Sequence, residues 1–167
     1  MLQIFTTGGT IDKVYFDAKS DFQVGDPQIV EILKQVGATV AYQAETLMRK
    51  DSLEITDNDR ARIVQRVLDC DADCVLITHG TDTMAQTGRA IEAALRFRAD
   101  AAKTVVLVGS LTPARFRHSD AEFNIGFAVA AVQTLAPGVY VAMNGQAFAA
   151  NTVSKNRAAN RFEAVAG

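Results

Sequence analysis

The sequence predicts a three-layer, doubly wound α/β domain around a mostly parallel sheet. Three observations carry that expectation. Strand-like and helix-like segments alternate along the chain. Several strand candidates are continuously apolar rather than alternating, as strands covered on both faces are. No internal repeat, linker or low-complexity stretch divides the 167 residues. Residues 1–167 therefore read as a single domain, a length that suits one core and is tight for two.

The elements follow in order. Leu2 to Thr7 is an apolar run that opens into Gly8-Gly9, a buried strand entering a turn. Residues 12–25 are mixed and polar and read as a surface loop, long enough to be a lid. Asp26-Pro27 has the form of a helix start, a capping acid before a proline at the first helical position. Ile29, Val30, Ile32, Leu33 and Val36 give that helix its stripe, and Gly37 stops it. Ala38 to Tyr42 is a second strand candidate. Thr56 and Asp59 form a capping box ahead of a helix whose apolar face is Ile63, Val64, Val67 and Leu68. Cys74 to Thr78 is a third strand, again running into a glycine turn. Residues 83–97 form a helix with Met84, Thr87, Ile91, Ala94 and Leu95 inward. Thr104 to Val108 is a fourth strand, ended by Gly109-Ser110. Ser119 and Glu122 make a second capping box, and the helix Phe123 to Leu135 behind it is apolar on nearly all sides, hence well buried. Val139 to Met143 is a fifth strand, with Gln146 to Ala150 as a hairpin partner. The tail from Asn151 is polar and alanine-rich and carries no clear pattern. The arrangement is Rossmann-like or flavodoxin-like, and such sheets place their sites at the carboxyl ends of the strands.

Composition narrows the function. Hydrophobic residues at 49% and charged residues at 22% are those of a soluble globular protein. A formal charge of −2 without a block of like charges argues against a nucleic-acid partner, which needs a basic stripe. No apolar stretch reaches membrane-spanning length, so no membrane partner is expected. Met1 leads directly into the first strand without the basic segment and cleavage site of a signal peptide, and the cytoplasm is the expected compartment. Cys70 and Cys74 are too few for a disulfide framework. With only His79 and His118 beside them they lack a second cluster for zinc, so no metal is expected.

The turns after the first and third strands are rich in glycine and hydroxyls. TTGGTI, Thr6 to Ile11, reads either as a structural Gly-Gly turn or as a phosphate-binding turn, although neither GxxxxGK[ST] nor GxGxxG is present. THGTDTM, Thr78 to Met84, offers Asp82 or Thr83 as a helix cap and backbone N–H groups for a carboxylate or a developing oxyanion. The fold places both turns on one cleft. Together they resemble the two signature segments of the bacterial-type L-asparaginase/glutaminase family, and the separation of Thr10 from Thr81 is similar to that family's. KTVVLVGSLTP, SDAEFN and the stretch from VYVAMN to Lys155 extend the resemblance over nearly the whole chain.

The resemblance implies an amide hydrolase without a cofactor, acting on a small amino-acid amide. Thr10 corresponds to the nucleophile, which needs a neighbour to take its proton. Thr81, Asp82 and Lys155 correspond to the proton relay, with the lysine expected to be made less basic by burial. Asp82 and Ser52 correspond to the groups that hold the substrate's α-ammonium and α-carboxylate, with Gly9 and Thr81 lining the same site. The other reading of Ser52 is a loop hydroxyl or helix cap, and Lys155 read alone is a solvated surface residue. His79 reads as a structural hydrogen-bonding residue and His118 as a loop residue.

Three departures stand out. The family's smaller C-terminal domain, which completes the site across a dimer with an acidic residue, has no counterpart here; a homo-oligomer, dimer or tetramer, is expected. The family's lid tyrosine aligns with Phe22, and Tyr15 is the candidate replacement, with an aromatic packed at the core edge as its other reading. Leu53 stands where many members carry a polar, substrate-contacting residue. The implied activity is L-asparagine hydrolysis through an acyl-threonine. The alternatives are a glutaminase, an amidotransferase-type amidase, or an amino-acid-binding module that does not turn over.

Overall fold

The computed structural model describes residues 1–16, 21–97 and 102–165. In chain order it contains β1 (Leu2–Gly8), β2 (Lys13–Phe16), β3 (Asp21–Val24), α1 (Ile29–Gln35), β4 (Tyr42–Lys50), α2 (Asp57–Asp69), β5 (Cys74–Thr78), α3 (Met84–Leu95), β6 (Thr104–Val108), α4 (Ala121–Thr134), β7 (Gly138–Met143), β8 (Gln146–Ala149), β9 (Val153–Asn156) and β10 (Arg161–Ala164).

The apolar runs become the middle of a six-stranded sheet of order β4-β1-β5-β6-β7-β8. All pairs are parallel except β7 with β8. Successive residues face opposite layers, as strand geometry requires. Phe5, Ile77, Val105 and Leu107 pack with Ile63 and Val67 of α2 and Met84 and Ile91 of α3. Ile4, Leu76, Val106 and Val108 pack with Ile29 and Leu33 of α1 and Ile125 and Ala128 of α4. This is the doubly wound architecture expected. After β1 the chain lays β4 on one side and then returns to lay β5 on the other. The switch point is therefore at β1, between β4 and β5, and the carboxyl ends of those strands frame a crevice.

Several local expectations change. Residues 12–25 are not a plain loop: β2 and β3 pair antiparallel from Lys13↔Val24 to Phe16↔Asp21. The tip of this hairpin, 17–20, lies outside the described residues. Asp26-Pro27 does not cap α1, whose N-cap is Gln28, without a side-chain cap of its own. The second sheet strand is Tyr42–Lys50, not 38–42. It is an edge strand: Leu47 is its only buried residue, and apart from Ala44 and Met48 the rest carry polar groups. The Thr56–Asp59 box forms as read. The Ser119–Glu122 box does not. Asp120 is the N-cap of α4, and its carboxylate accepts the Leu111 and Thr112 N–H groups at 2.9 and 3.0 Å instead. That helix is not buried all round: Phe123 is 64% exposed, and Gly126 and Ala130 are also exposed. Within the tail, Val153–Asn156 and Arg161–Ala164 form the antiparallel β9–β10 pair.

Candidate active site

Parallel register brings the two signature turns together. β1 and β5 pair from Leu2↔Cys74 to Thr6↔Thr78, so their turns emerge side by side. Thr7 donates from Oγ1 to the Thr78 carbonyl at 2.8 Å, which fastens the two exits. On the other flank Gly9 N–H donates to the Lys50 carbonyl at 2.9 Å. The approach is close enough to require glycine. A Cβ on Gly9, whose φ is 95°, would lie 2.4 Å from Gly80 Cα, and a Cβ on Gly80 would lie 2.6 Å from Ser52 Cβ. Gly9, Gly80 and Ser52 thus form a contact point for three strand exits. Thr10 and Thr81 each follow one residue later.

Thr10 opens a tight 3-10 turn, Thr10–Asp12, and is half-buried. Its N–H and that of Ile11 are the first two of the turn, which by helix geometry have no acceptor within it. Across the crevice, Lys155 Nζ lies 2.7 Å from Thr81 Oγ1 and 3.0 Å from Asp82 Oδ1. Lys155 comes from β9, and its side chain is only 13% exposed. Pairing with Phe162 of β10 fixes its position. Ser52 Oγ accepts the Asp82 N–H at 3.2 Å, while the Ser52 carbonyl accepts the Thr83 hydroxyl at 2.8 Å. Ser52 is 2% exposed and lies just inside a 3-10 turn capped by Asp51 and Glu54. Thr81, Asp82, Lys155 and Ser52, distant in sequence, form one hydrogen-bonded group beside the turn that carries Thr10.

The family model described as asparaginase, N-terminal, matches residues 1–166. The chain belongs to the asparaginase family. It is 31% identical over 159 residues to the L-asparaginase of Thermococcus kodakarensis, covering 92% of this chain and 47% of that one. It is 31% identical over 163 residues to L-asparaginase 2 of Escherichia coli, with 92% and 46% covered. A solved structure of the Thermococcus kodakarensis L-asparaginase superposes with a TM-score of 0.82 at 28% identity, covering 98% of this chain and 50% of that one. The chain spans about half the length of the curated asparaginases it matches.

Around this site the structure adds Lys13, Asp51 and Arg157, which sequence reasoning passed over. Lys13, at the foot of the β2–β3 hairpin, pairs with Asp51 at 2.6 Å and ties the hairpin to the loop after β4. Burial pushes the Asp51 carboxyl up. The Lys13 hydrogen bond, the Leu53 N–H and the Lys13 and Lys155 charges outweigh it and hold it below the ordinary range. Arg157 Nε lies 3.5 Å from Asp82 Oδ1. His79 is fully buried: Nδ1 meets the Gly80 carbonyl at 2.7 Å, and Nε2 meets Thr87 Oγ1 at 2.9 Å. Since a carbonyl only accepts, Nδ1 carries the proton and Nε2 accepts from Thr87. Burial pushes His79 down to about 4. Tyr15 does not enter this group. It is 52% exposed on β2, and its ring meets that of its cross-strand neighbour Phe22 edge-on at 5.3 Å, with Phe116 beyond at 6.0 Å from Phe22. Among the described residues no cluster of His, Cys, Asp and Glu could hold a metal, and no helix is long and apolar enough to cross a membrane.

Proposed function

We propose that this chain hydrolyses L-asparagine to aspartate and ammonia through an acyl-threonine on Thr10. The observation that carries the reading is Lys155 Nζ within hydrogen-bond reach of both Thr81 and Asp82, beside the nucleophile turn. Thr10 Oγ1 attacks the side-chain amide carbon. Its proton passes along Thr81 to the Lys155 amine and returns to the departing nitrogen, which leaves as ammonia. The oxyanion faces backbone N–H donors of the two turns. Water then opens the Thr10 ester by the same relay in reverse and releases aspartate. Asp82 keeps Oδ2 for the α-ammonium. Ser52, already accepting from Asp82, keeps its hydroxyl proton for the α-carboxylate. Gly9 supplies backbone at the floor of the site. Tyr15 stands where one strand's width separates it from the aligned Phe22, and its hydroxyl is the lid group in this reading. No cofactor takes part. The protein works as a homo-oligomer, dimer or tetramer, in the cytoplasm, where Cys70 and Cys74 stay free thiols.

The test is ammonia release from L-asparagine and L-glutamine by the parent protein and by Thr10→Ala. Release from asparagine that falls at least 10³-fold in the variant, on the order expected for loss of an activated nucleophile, supports the reading. Release mainly from glutamine moves it to a glutaminase. Binding of either amide without ammonia makes the domain an amino-acid-binding module.

A further inference from the structure

The mechanism leaves one buried acid unused. Asp12 is 1% exposed and closes the turn that Thr10 opens. Its N–H donates to the Gly9 carbonyl at 3.1 Å, its carbonyl accepts the Gly25 N–H at 2.8 Å, and its Oδ1 accepts the Gln28 N–H at 2.8 Å. One residue therefore joins the nucleophile turn to the returning end of the β2–β3 hairpin and to the entrance of α1. The Ala114 N–H, bonded to the Ile11 carbonyl at 3.1 Å, holds the turn from the opposite side. Oδ2 is buried, and no described residue hydrogen-bonds to it. A cap needs only one acceptor, which serine or asparagine offers without the desolvation cost of a carboxylate.

We propose that Asp12 is a positioning residue: its ionised carboxylate, through Gln28, holds the turn that aims Thr10 and the base of the hairpin above it, and its protonation slackens both. The inference rests on the asparaginase reading for its consequence in catalysis, but the clamp itself does not. A carboxylate accepts the Gln28 N–H more strongly than a neutral acid does. The charged groups that face it are Arg49 from β4 and Asp26 from the turn before α1, which pair with each other at 2.8 Å. Arg115, from the loop after β6, bonds Gln28 Oε1 at 3.2 Å instead. Burial pushes Asp12 up, against the Gln28 N–H and Arg49, to about 6. The clamp changes state within a working pH range.

The experiment pairs the pH profile of kcat with amide NMR, in the parent, Asp12→Asn and Asp12→Ala. Asn keeps the Oδ1 acceptor and removes the titration. The parent is expected to lose kcat below pH ~6, the range to which burial moves this acid. In Asp12→Asn that limb is gone, with kcat at pH 7.5 down less than ~10-fold. In Asp12→Ala kcat falls ~10–100-fold, the range for losing a hydrogen bond to a charged group, with KM changing less. In the parent, the amide shifts of Thr10, Ile11 and Gln28 titrate with that midpoint, and in Asp12→Asn they do not. A pH limb that persists in Asp12→Asn overturns the proposal. So do Thr10 and Ile11 amides that ignore the Asp12 titration, whatever the activity. If the parent releases no ammonia while those amides follow the titration, the clamp stands and the hydrolase reading fails.

Discussion

Each signature turn carries one buried ionisable side chain, and the two are treated differently. Behind the second turn, His79 has both nitrogens bonded, to Gly80 and Thr87. Behind the first, Asp12 has one oxygen bonded and the other unpaired. Burial drives each toward its neutral form, which lowers the histidine and raises the acid. The histidine is pushed so far that it stays neutral throughout ordinary pH, a fixed strut for the Thr81 side. The acid stops near 6 and changes charge where proteins work. The contrast teaches that the buried group behind Thr81 is rigid in charge at ordinary pH, whereas the one behind Thr10 is adjustable.

The largest expected effect asks whether the two halves act as one site. Thr10→Ala on the first turn and Lys155→Met facing the second should each cost about 10³-fold or more in kcat. The double variant should lose little beyond the worse single one, since groups acting in one step are not additive. Additive losses, read from steady-state ammonia release, would break the two halves apart.

Next in size is the strut. His79→Ala opens a cavity and leaves the Gly80 carbonyl and Thr87 hydroxyl buried without partners. It should cost about 3–5 kcal/mol, the range for such losses in a core. Urea unfolding measures it. A cost under about 1 kcal/mol would mean that the second turn does not lean on His79.

The same two groups set a pH signature of stability. His79 has its folded pKa depressed, from 6.5 to about 4. Its contribution is present above 6.5 and is lost as pH falls toward 4. Asp12 has its folded pKa raised, from 3.8 to about 6. Its contribution is present below 3.8 and is lost as pH rises through 6. Over pH 4–6.5 the two slopes oppose, and each is worth about 3 kcal/mol, at roughly 1.4 kcal/mol for every tenfold change in proton affinity. The parent should be nearly flat there. Asp12→Asn should lose about 3 kcal/mol on acidification from 6.5 to 4, read by denaturant unfolding at fixed pH. A variant as flat as its parent would remove Asp12 from the balance.

What was readable in the chain divides along a similar line. Local chemistry was legible: the Cys74–Thr78 and Thr104–Val108 strands, the Thr56–Asp59 box and the parallel sheet follow from composition and spacing within a few residues. β4 lies beyond the apolar run at 38–42 because an edge strand with one buried residue carries no apolar signal of its own. The β2–β3 hairpin lacked clean alternation for the same reason. Lys155 stood out only through family resemblance, because its position depends on β9 pairing with β10 in an otherwise patternless tail. Asp12 gave no signal at all. Its partner is a backbone N–H at Gln28, and backbone groups leave no mark in a sequence.

The smallest effect separates holding the hairpin from holding the fold. Lys13 and Asp51 are each 28% exposed at their side chains, so their ion pair sits in a half-wet setting where such pairs are worth about 1 kcal/mol or less. Lys13→Met should therefore barely move the unfolding midpoint. Yet the pair is the polar bridge from the hairpin to the loop that carries Ser52, and Asp51 caps the turn in which Ser52 sits. If the adjustable half of the site includes the hairpin, losing the bridge should raise KM for asparagine several-fold while kcat changes less, because the Ser52 loop loses its tie to the hairpin while the Thr81–Asp82–Lys155 group is untouched. A fall in kcat with KM unchanged would place Lys13 on the rigid side of the comparison, and the division drawn between the two turns would have to move.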